Sequence, residues 1–362
     1  MSYPVKHLVI GSADSYSGKS AIVLGLLNSL QTVGLKLAYG KPLGAEPEGG
    51  AWSGSAVDAD VHFITNTLGL PAAQIYPTLV TLDDTLLEKR LQGQDTTNYG
   101  QKFQAALPIA EADLVVLEGP GTLREGHVFG LSMPQMVELA DAAVVLVMRL
   151  NGYRVIDDLL VARQQLGPDR SLGVILNDIP SRHLEHVQTV ICPFLEEQGI
   201  VVLGLYPHSE ILKSVSVAEL RQRLKATVLA SGDRLDLMVE ALSIGAMNVN
   251  SALEYFRQGH NKAVVTGSDR TDLQLAALET STQCLILTGH ASPDPAIVQK
   301  AEELEVPILA VDLDTLTTIE VIEKAFAQVR MHDQIKVECI IQMTQEYLDR
   351  DRLLKFLGHT SP

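Results

Sequence analysis

Short apolar runs alternate with longer amphipathic stretches over residues 1–215. The runs are of strand length and rich in aliphatic residues; they lie at residues 8–10, 35–39, 113–118, 143–148, 172–176 and 201–205. Apolar positions between them recur at helical spacing, as in residues 21–30. Strands separated by helices are typical of parallel sheets. The alternation predicts an α/β fold with a doubly wound, mostly parallel sheet.

The remaining chain repeats the pattern on a smaller scale. Strand-like runs at residues 227–230, 263–266, 284–288 and 307–311 are each followed by a helical stretch. We therefore expect domains at residues 1–215 and 216–330, the second a smaller α/β unit. Residues 331–362 form an amphipathic tail that we expect to pack on the second domain.

An internal repeat lies within the second domain. Residues 231–242 recur as residues 267–278, with the same Asp-Arg pair near the start of each copy. Each copy follows a strand-like run and is predicted to open a helix, where acidic residues suit the N-terminus. Two interpretations stay open, namely two equivalent βα units, or a paired site or self-association surface.

The first strand leads into a polar loop that ends in Gly18, Lys19 and Ser20, and an apolar helix follows. This order is the setting of a P-loop, in which backbone N–H groups at a helix N-terminus bind phosphate. A lysine here supplies charge for the β- and γ-phosphates, and the serine hydroxyl lies where Mg²⁺ is held. The pattern G-x-x-x-x-G-K-S/T requires its first glycine at residue 13, which is Ala13. The alternative is a glycine-containing turn with a surface lysine.

Polar residues follow several of the predicted strands, where ligands bind in open α/β sheets. Glu118 ends a buried run and suits a Walker-B position, which holds Mg²⁺ or its bound water. Lys41 follows the second strand, and Asp58 and Asp60 are candidate Mg²⁺ ligands. Asn177 could pair with a purine edge. The alternatives are a solvated loop lysine, a helix N-cap and a turn asparagine, respectively.

Composition narrows the class of protein. The chain has 362 residues, 46% of them hydrophobic, and a formal charge of −16, which argues against a nucleic-acid partner. No apolar run reaches the length of a membrane span, and the N-terminus does not resemble a signal peptide. Cys192, Cys284 and Cys339 lie far apart, as expected for a reducing cytoplasm. We therefore expect a cytoplasmic protein without a membrane partner.

The first domain resembles the dethiobiotin synthetase-like P-loop family, and more closely the domain at the N-terminus of long phosphotransacetylases. The second resembles a DRTGG domain around residues 268–271, although its two glycines are Asp272 and Leu273 here. The P-loop is also about one residue longer than the synthetase pattern. The resemblance to the first family is carried by residues 11–21, 40–42, 58, 60, 118–119 and 173–177.

The resemblance implies ATP and Mg²⁺ as cofactors. It assigns ATP binding to Ser15, Ser17, Gly18, Lys19, Ser20, Ala21 and Asn177, with the adenine at Asn177. Mg²⁺ would be held by Ser20, Asp58 or Asp60, and Glu118, and the catalytic candidates are Lys41 and Glu118. DRTGG domains associate in pairs, which implies a homodimer or higher homo-oligomer. The sequence ends where a phosphotransacetylase catalytic domain would begin, so acetyl transfer is not expected.

Three functional hypotheses follow. The first is a cytoplasmic ATP-binding regulatory protein, with or without slow Mg²⁺-dependent ATP hydrolysis, whose DRTGG-like domain self-associates or senses a ligand. The second is an ATP-dependent ligase that activates a carboxylate or carbamate, as dethiobiotin synthetase does. The third is a degenerate scaffold that binds no nucleotide.

Overall fold

The computed structural model of the protein describes residues 5–45, 58–109, 111–167, 169–327, 331 and 333–359. The chain forms two compact units. Unit 1 combines Met1–His208 with Val337–Pro362, and unit 2 is Ser209–Lys336. Unit 2 is therefore an insertion between two segments of unit 1.

Unit 1 is built on a seven-stranded sheet of order β4-β2-β6-β1-β7-β8-β9, in which every pairing is parallel. Strands lie on both sides of the central β1, with β6, β2 and β4 on one side and β7, β8 and β9 on the other, which makes the sheet doubly wound and confirms the predicted fold class. Two further strands, β3 and β5, form a small parallel pair. The strands are β1 (His7–Gly11), β2 (Leu37–Gly40), β3 (Leu43–Ala45), β4 (Ile75–Tyr76), β5 (Val80–Leu82), β6 (Leu114–Glu118), β7 (Ala143–Arg149), β8 (Leu172–Ile179) and β9 (Val201–Pro207).

The central strands are buried on both faces, which explains why they read as continuous apolar runs and do not alternate. The helices of unit 1 connect them, and several begin at an N-cap side chain such as Asp58, Asp83 or Asn98. A π-helical segment, Val187–Ile191, joins the last two. The helices are α1 (Lys19–Thr32), α2 (Ala59–Leu68), α3 (Asp84–Leu91), α4 (Tyr99–Ala106), α5 (Met133–Ala140), α6 (Arg154–Leu166), α7 (Leu184–His186) and α8 (Cys192–Glu197).

Unit 2 has a five-stranded sheet of order β11-β16-β15-β14-β13, in which only β11 runs antiparallel. Its strands are β10 (Val215–Ser216), β11 (Thr227–Ala230), β12 (Met238–Val239), β13 (Ala241–Gly245), β14 (Lys262–Gly267), β15 (Thr282–Thr288) and β16 (Ile308–Val311). Its helices are α9 (Glu210–Lys213), α10 (Val217–Leu224), α11 (Val249–Phe256), α12 (Thr271–Leu278), α13 (Pro295–Glu303) and α14 (Thr315–Ala327). None of the described helices of either unit is long and apolar enough to cross a membrane.

The sequence repeat is not a structural repeat. The second copy follows β14 and opens α12, as predicted. The first copy follows β11 but forms turns and then β12 and β13, so its predicted helix is wrong. Ser231 takes a left-handed backbone conformation, and β13 pairs along its length with β14. Pairing with the sheet overrides the local helical pattern there.

The C-terminal tail belongs to unit 1, so the prediction that it packs on the second domain is wrong. It consists of α15 (Gln334–Tyr347) and α16 (Arg350–Phe356). The Asp349 amide donates to the Leu203 carbonyl in β9 at 2.9 Å, and the Val5 amide donates to the Leu357 carbonyl at 2.9 Å. Backbone hydrogen bonds thus join the tail to unit 1. The first boundary also falls at His208, before the predicted residue 215.

Candidate phosphate-loop site

The loop between β1 and α1 presents an unsatisfied helix N-terminus. Gly18 is the N-cap of α1, has a φ of 86°, and offers no side chain to the first-turn N–H groups. The Ser17 hydroxyl is buried without a hydrogen-bond partner among the residues that the structure describes. Orphaned donors at a helix N-terminus are suited to binding an anion. The loop therefore fits a phosphate group despite Ala13 at its start.

Lys19 lies inside this site. Its Nζ donates to the carbonyls of Gly119 at 2.7 Å and Pro120 at 2.6 Å, and lies 3.9 Å from Glu118 Oε1. Burial lowers the pKa of Lys19, and the Glu118 carboxylate opposes that shift. The Lys19 side chain is only 11% exposed, so it is not a surface lysine, and its role in phosphate binding stays a prediction.

Glu118 joins three elements at the end of β6. The Ser20 hydroxyl donates to Glu118 Oε1 at 3.1 Å, and the buried Tyr39 hydroxyl donates to Oε2 at 2.7 Å. Burial and the Glu118 charge raise the pKa of Tyr39, so its phenol stays protonated as a donor. The structure thus brings together Ser20 and Glu118, the two residues that the sequence predicts as the P-loop hydroxyl and the Walker-B acid.

Lys41 pairs with both candidate aspartates. Its Nζ lies 3.2 Å from Asp58 Oδ2 and 3.4 Å from Asp60 Oδ2. Burial alone would lower the pKa of Lys41, but the carboxylates of Glu118, Asp60 and Asp58 outweigh it and raise the pKa. Asp58 Oδ1 also accepts from the Asp60 amide at 2.9 Å and caps α2. Asp58 therefore caps α2, the alternative that the sequence left open, while its Oδ2 pairs with Lys41, a contact that the sequence did not predict.

Asn177 supports the loop from β8. Its Nδ2 donates to the Ser17 carbonyl at 2.9 Å, and a Cβ on Gly18 would overlap that nitrogen. Its amide therefore holds the P-loop backbone, while adenine recognition stays a prediction. Ser15 Oγ lies 3.3 Å from the position of a Cβ on Gly121, which places it beside the loop after β6. Ala21 is buried in the first turn of α1.

The metal prediction is not tested by this geometry. Ser20 and Glu118 are adjacent, whereas Asp58 and Asp60 are bound to Lys41. Within the described ranges, no three His, Cys, Asp or Glu side chains group around a common metal position. Mg²⁺ would need ligands from a bound phosphate as well.

Sequence reasoning missed four residues beside the site. Each lies within a strand or at its carboxyl end, and this position relative to the predicted strands is what could have indicated them from the sequence. Tyr39 lies in β2, Arg149 ends β7, Asp178 lies near the end of β8 and His208 follows β9. Tyr39 contacts Glu118, and Arg149 and His208 both contact Asp178. Each contact joins segments that are distant in the sequence.

Comparison with known families fits this geometry. The family described as an AAA domain matches residues 6–231, more than half of the chain. The chain belongs to this AAA domain family. A DRTGG domain matches residues 219–325. The predicted order, a P-loop domain followed by a DRTGG domain, is thereby confirmed.

Curated relatives of this AAA domain chain include two long enzymes. It is 23% identical to the phosphate acetyltransferase of Synechocystis sp., with 97% of this chain and 51% of that protein covered. It is 25% identical to the phosphate acetyltransferase of Nitratidesulfovibrio vulgaris, with 96% and 51% covered. The chain spans about half the length of these relatives.

Two solved structures share less sequence identity with the chain than these relatives do. The CBS and DRTGG domains of a Clostridium perfringens pyrophosphatase, solved with diadenosine tetraphosphate, share 16% identity at a TM-score of 0.29. That match covers 49% of this chain and 89% of the other. MinD of Aquifex aeolicus shares 14% identity at a TM-score of 0.34, with 56% and 83% covered. The family matches support a nucleotide-binding protein with a DRTGG domain.

Proposed function

We propose that the chain is a cytoplasmic, ATP-binding regulatory protein whose unit 1 binds Mg·ATP and whose unit 2 transmits the bound state. One observation carries this proposal: an uncapped α1 N-terminus, an unpartnered buried Ser17 hydroxyl and the buried Lys19 ammonium converge on one loop. The α1 N-terminus and Ser17 supply hydrogen-bond donors, and Lys19 supplies a positive charge beside them, and both favour a bound polyphosphate.

The residues around the loop take distinct roles in the proposal. Lys19 and the first-turn N–H groups of α1 bind the phosphates, and Ser17 donates its hydroxyl. Ser20 and Glu118 would hold Mg²⁺, which neutralises phosphate charge when bound. Glu118 is also the candidate base for slow hydrolysis, since it would orient water through the metal. Association of two or more copies through unit 2 belongs to the same proposal.

The ligase alternative assigns Lys41 to an acceptor carboxylate. Lys41 is already paired with two carboxylates, 3.2 and 3.4 Å away, and an acceptor would have to compete with both. That arrangement favours the regulatory proposal. Phosphate release that depends on an added carboxylate or carbamate acceptor would favour the ligase.

Titration calorimetry with Mg·ATP tests the binding site. Wild type is expected to bind, and Lys19→Ala to abolish binding, because the substitution removes the buried charge at the loop. Lys36→Ala is the matched control, since Lys36 is exposed and precedes β2 at the opposite end of the sheet. At 100-fold excess over Kd, ATP should also stabilise the fold by about 2.7 kcal/mol. Equal binding by wild type and Lys19→Ala would refute the proposal.

A further inference from the structure

Arg149, at the end of β7, holds the tip of the phosphate loop. Its Nη2 donates to the Tyr16 carbonyl at 3.0 Å. Tyr16 has a φ of 58°, a left-handed conformation that a tyrosine adopts only when surrounding contacts impose it. The shape of the loop around a phosphate therefore depends on a contact from outside the loop.

Arg149 is held in turn by a carboxylate on β8. Arg149 Nε lies 3.1 Å from Asp178 Oδ2, and His208 Nδ1 lies 2.6 Å from Asp178 Oδ1. The Asp178 side chain is only 13% exposed, and its φ of 59° is also left-handed. The neighbouring Asn177 holds the next loop carbonyl, that of Ser17. Two consecutive residues of β8 thus fix two consecutive peptide groups of the loop.

His208 ends the first segment of unit 1, and unit 2 begins at Ser209. The His208 amide donates to the Ile179 carbonyl at 2.9 Å, which anchors the backbone as well as the ring. The segment that enters unit 2 is therefore connected to the loop tip through Asp178 and Arg149.

The segment that returns from unit 2 contacts the same functional element. It forms α15, and a Cβ on Gly25, in the middle of α1, would overlap Thr344 Oγ1. The Ile340 carbonyl lies 3.3 Å from the same Cβ position. Because α1 begins at the phosphate loop, α15 contacts the strand–loop–helix element that would bind the nucleotide, and His208 reaches the same element through Asp178 and Arg149.

We infer that nucleotide binding in unit 1 and the conformational state of unit 2 are coupled through these two flanks, with Arg149 as the positioning residue. The inference rests on the proposed nucleotide binding. A shift of His208 or α15 changes the support of the loop, and a bound polyphosphate fixes the loop and both flanks. Coupling of this kind is reciprocal, so each event must alter the equilibrium of the other.

Hydrogen–deuterium exchange of the full chain, with and without saturating Mg·ATP, tests the inference. In wild type, exchange is expected to change in the loop, in residues 201–208 and 337–347, and also in unit 2 peptides such as residues 209–224. Calorimetry on the same samples reports binding separately. Absence of binding would refute the proposed function and this inference with it. Binding without any exchange change in unit 2 would refute the coupling alone.

Substitutions at Arg149 and His208 test whether these residues connect the phosphate loop with unit 2. Arg149→Gln is expected to weaken Mg·ATP binding about fivefold or more and to reduce the exchange change in unit 2. Arg154→Gln is the matched control, since the Arg154 side chain is exposed and its Nε lies 3.5 Å from Asp158 Oδ2, one turn along α6. His208→Ala should reduce the unit 2 response in the same way, and its effect should not add to that of Arg149→Gln. Additive effects, or an unchanged unit 2 response in both variants, would contradict this route.

Discussion

At the scale of single residues, the conformations of Gly18 and Asn177 depend on each other sterically. Gly18 has a φ of 86°, and the Asn177 amide occupies the position where any Cβ would project. The asparagine can bind the Ser17 carbonyl only because residue 18 lacks a side chain. The G-K-S motif therefore requires its glycine for conformation and for contact with β8.

Gly18→Ala should disturb the loop more than its backbone strain alone predicts. Left-handed φ costs an alanine roughly 1 kcal/mol, and displacement of Asn177 removes the support of the Ser17 carbonyl. We expect a lower Tm and loss of Mg·ATP binding by calorimetry. Gly34→Ala is the matched control, since Gly34 has a φ of 87° and no atom within 4 Å of its Cβ position. The expectation fails if both variants bind nucleotide equally.

The sequence showed most of the site at this scale. Gly18, Lys19, Ser20 and Glu118 were recognisable because a P-loop is a local motif and a buried strand that ends in an acid is unusual. Tyr39 was not recognised, since an aromatic residue in an apolar strand predicts core packing. Its bond to Glu118 depends on two strands that are neighbours only in the folded sheet.

At the scale of elements, α1 is fixed by the close approach of α15. Gly25 lies in the buried middle of α1, where a glycine lowers the intrinsic stability of a helix but permits the close approach of a neighbouring element. Thr344 packs at that position with its hydroxyl buried and without a hydrogen-bond partner in the described chain. The absence of a side chain at Gly25 thus allows Thr344 of α15 to pack directly against α1.

Gly25→Ala should destabilise unit 1 by about 1–3 kcal/mol, because the new methyl group overlaps Thr344 Oγ1. Denaturant unfolding measures the change. Addition of Thr344→Ala should recover part of it by removing the overlapping atom. Gly100→Ala in α4 is the control: its Cβ would meet ordinary contacts at 3.4 Å, so the free energy of unfolding should stay level or rise. A neutral Gly25→Ala would contradict the close packing.

The wrong helix prediction for residues 231–242 also concerns a single element of the fold. Residues 267–278, with the same local pattern, do contain a helix, α12. The shared spacing of Asp and Arg indicates only a weak local preference for a helix. A strand position beside β14 offers more burial and backbone pairing than an isolated helix would.

At the scale of the whole molecule, unit 2 interrupts unit 1. The N-terminal and C-terminal segments of unit 1 meet through backbone bonds such as that from the Val5 amide to the Leu357 carbonyl. Unit 1 therefore depends on residues that follow unit 2 in the chain. Leu353 and Leu354 of α16 are buried, which gives the tail its apolar anchor.

Leu353→Ala should destabilise unit 1 by about 2–5 kcal/mol, because it leaves a cavity in a buried site. Hydrogen exchange resolved by unit should show faster opening of β9 and α1, with unit 2 less affected. Leu316→Ala, in α14 of unit 2, is the control, since that side chain is 67% exposed and should tolerate truncation. Selective opening of unit 2 in Leu353→Ala would contradict the assignment of the tail to unit 1.

The sequence by itself determined the parallel sheet, the phosphate loop and the acid at the end of β6, because these depend on periodicity and on residues adjacent in the chain. Only the tertiary structure decided that Lys41 pairs with both aspartates, that Arg149 supports the loop through Asp178 and His208, and that the tail packs on unit 1. Each of these connects segments that are remote in the sequence, so no local pattern records them. Burial and sheet order, which bring the strand ends together, determine those contacts.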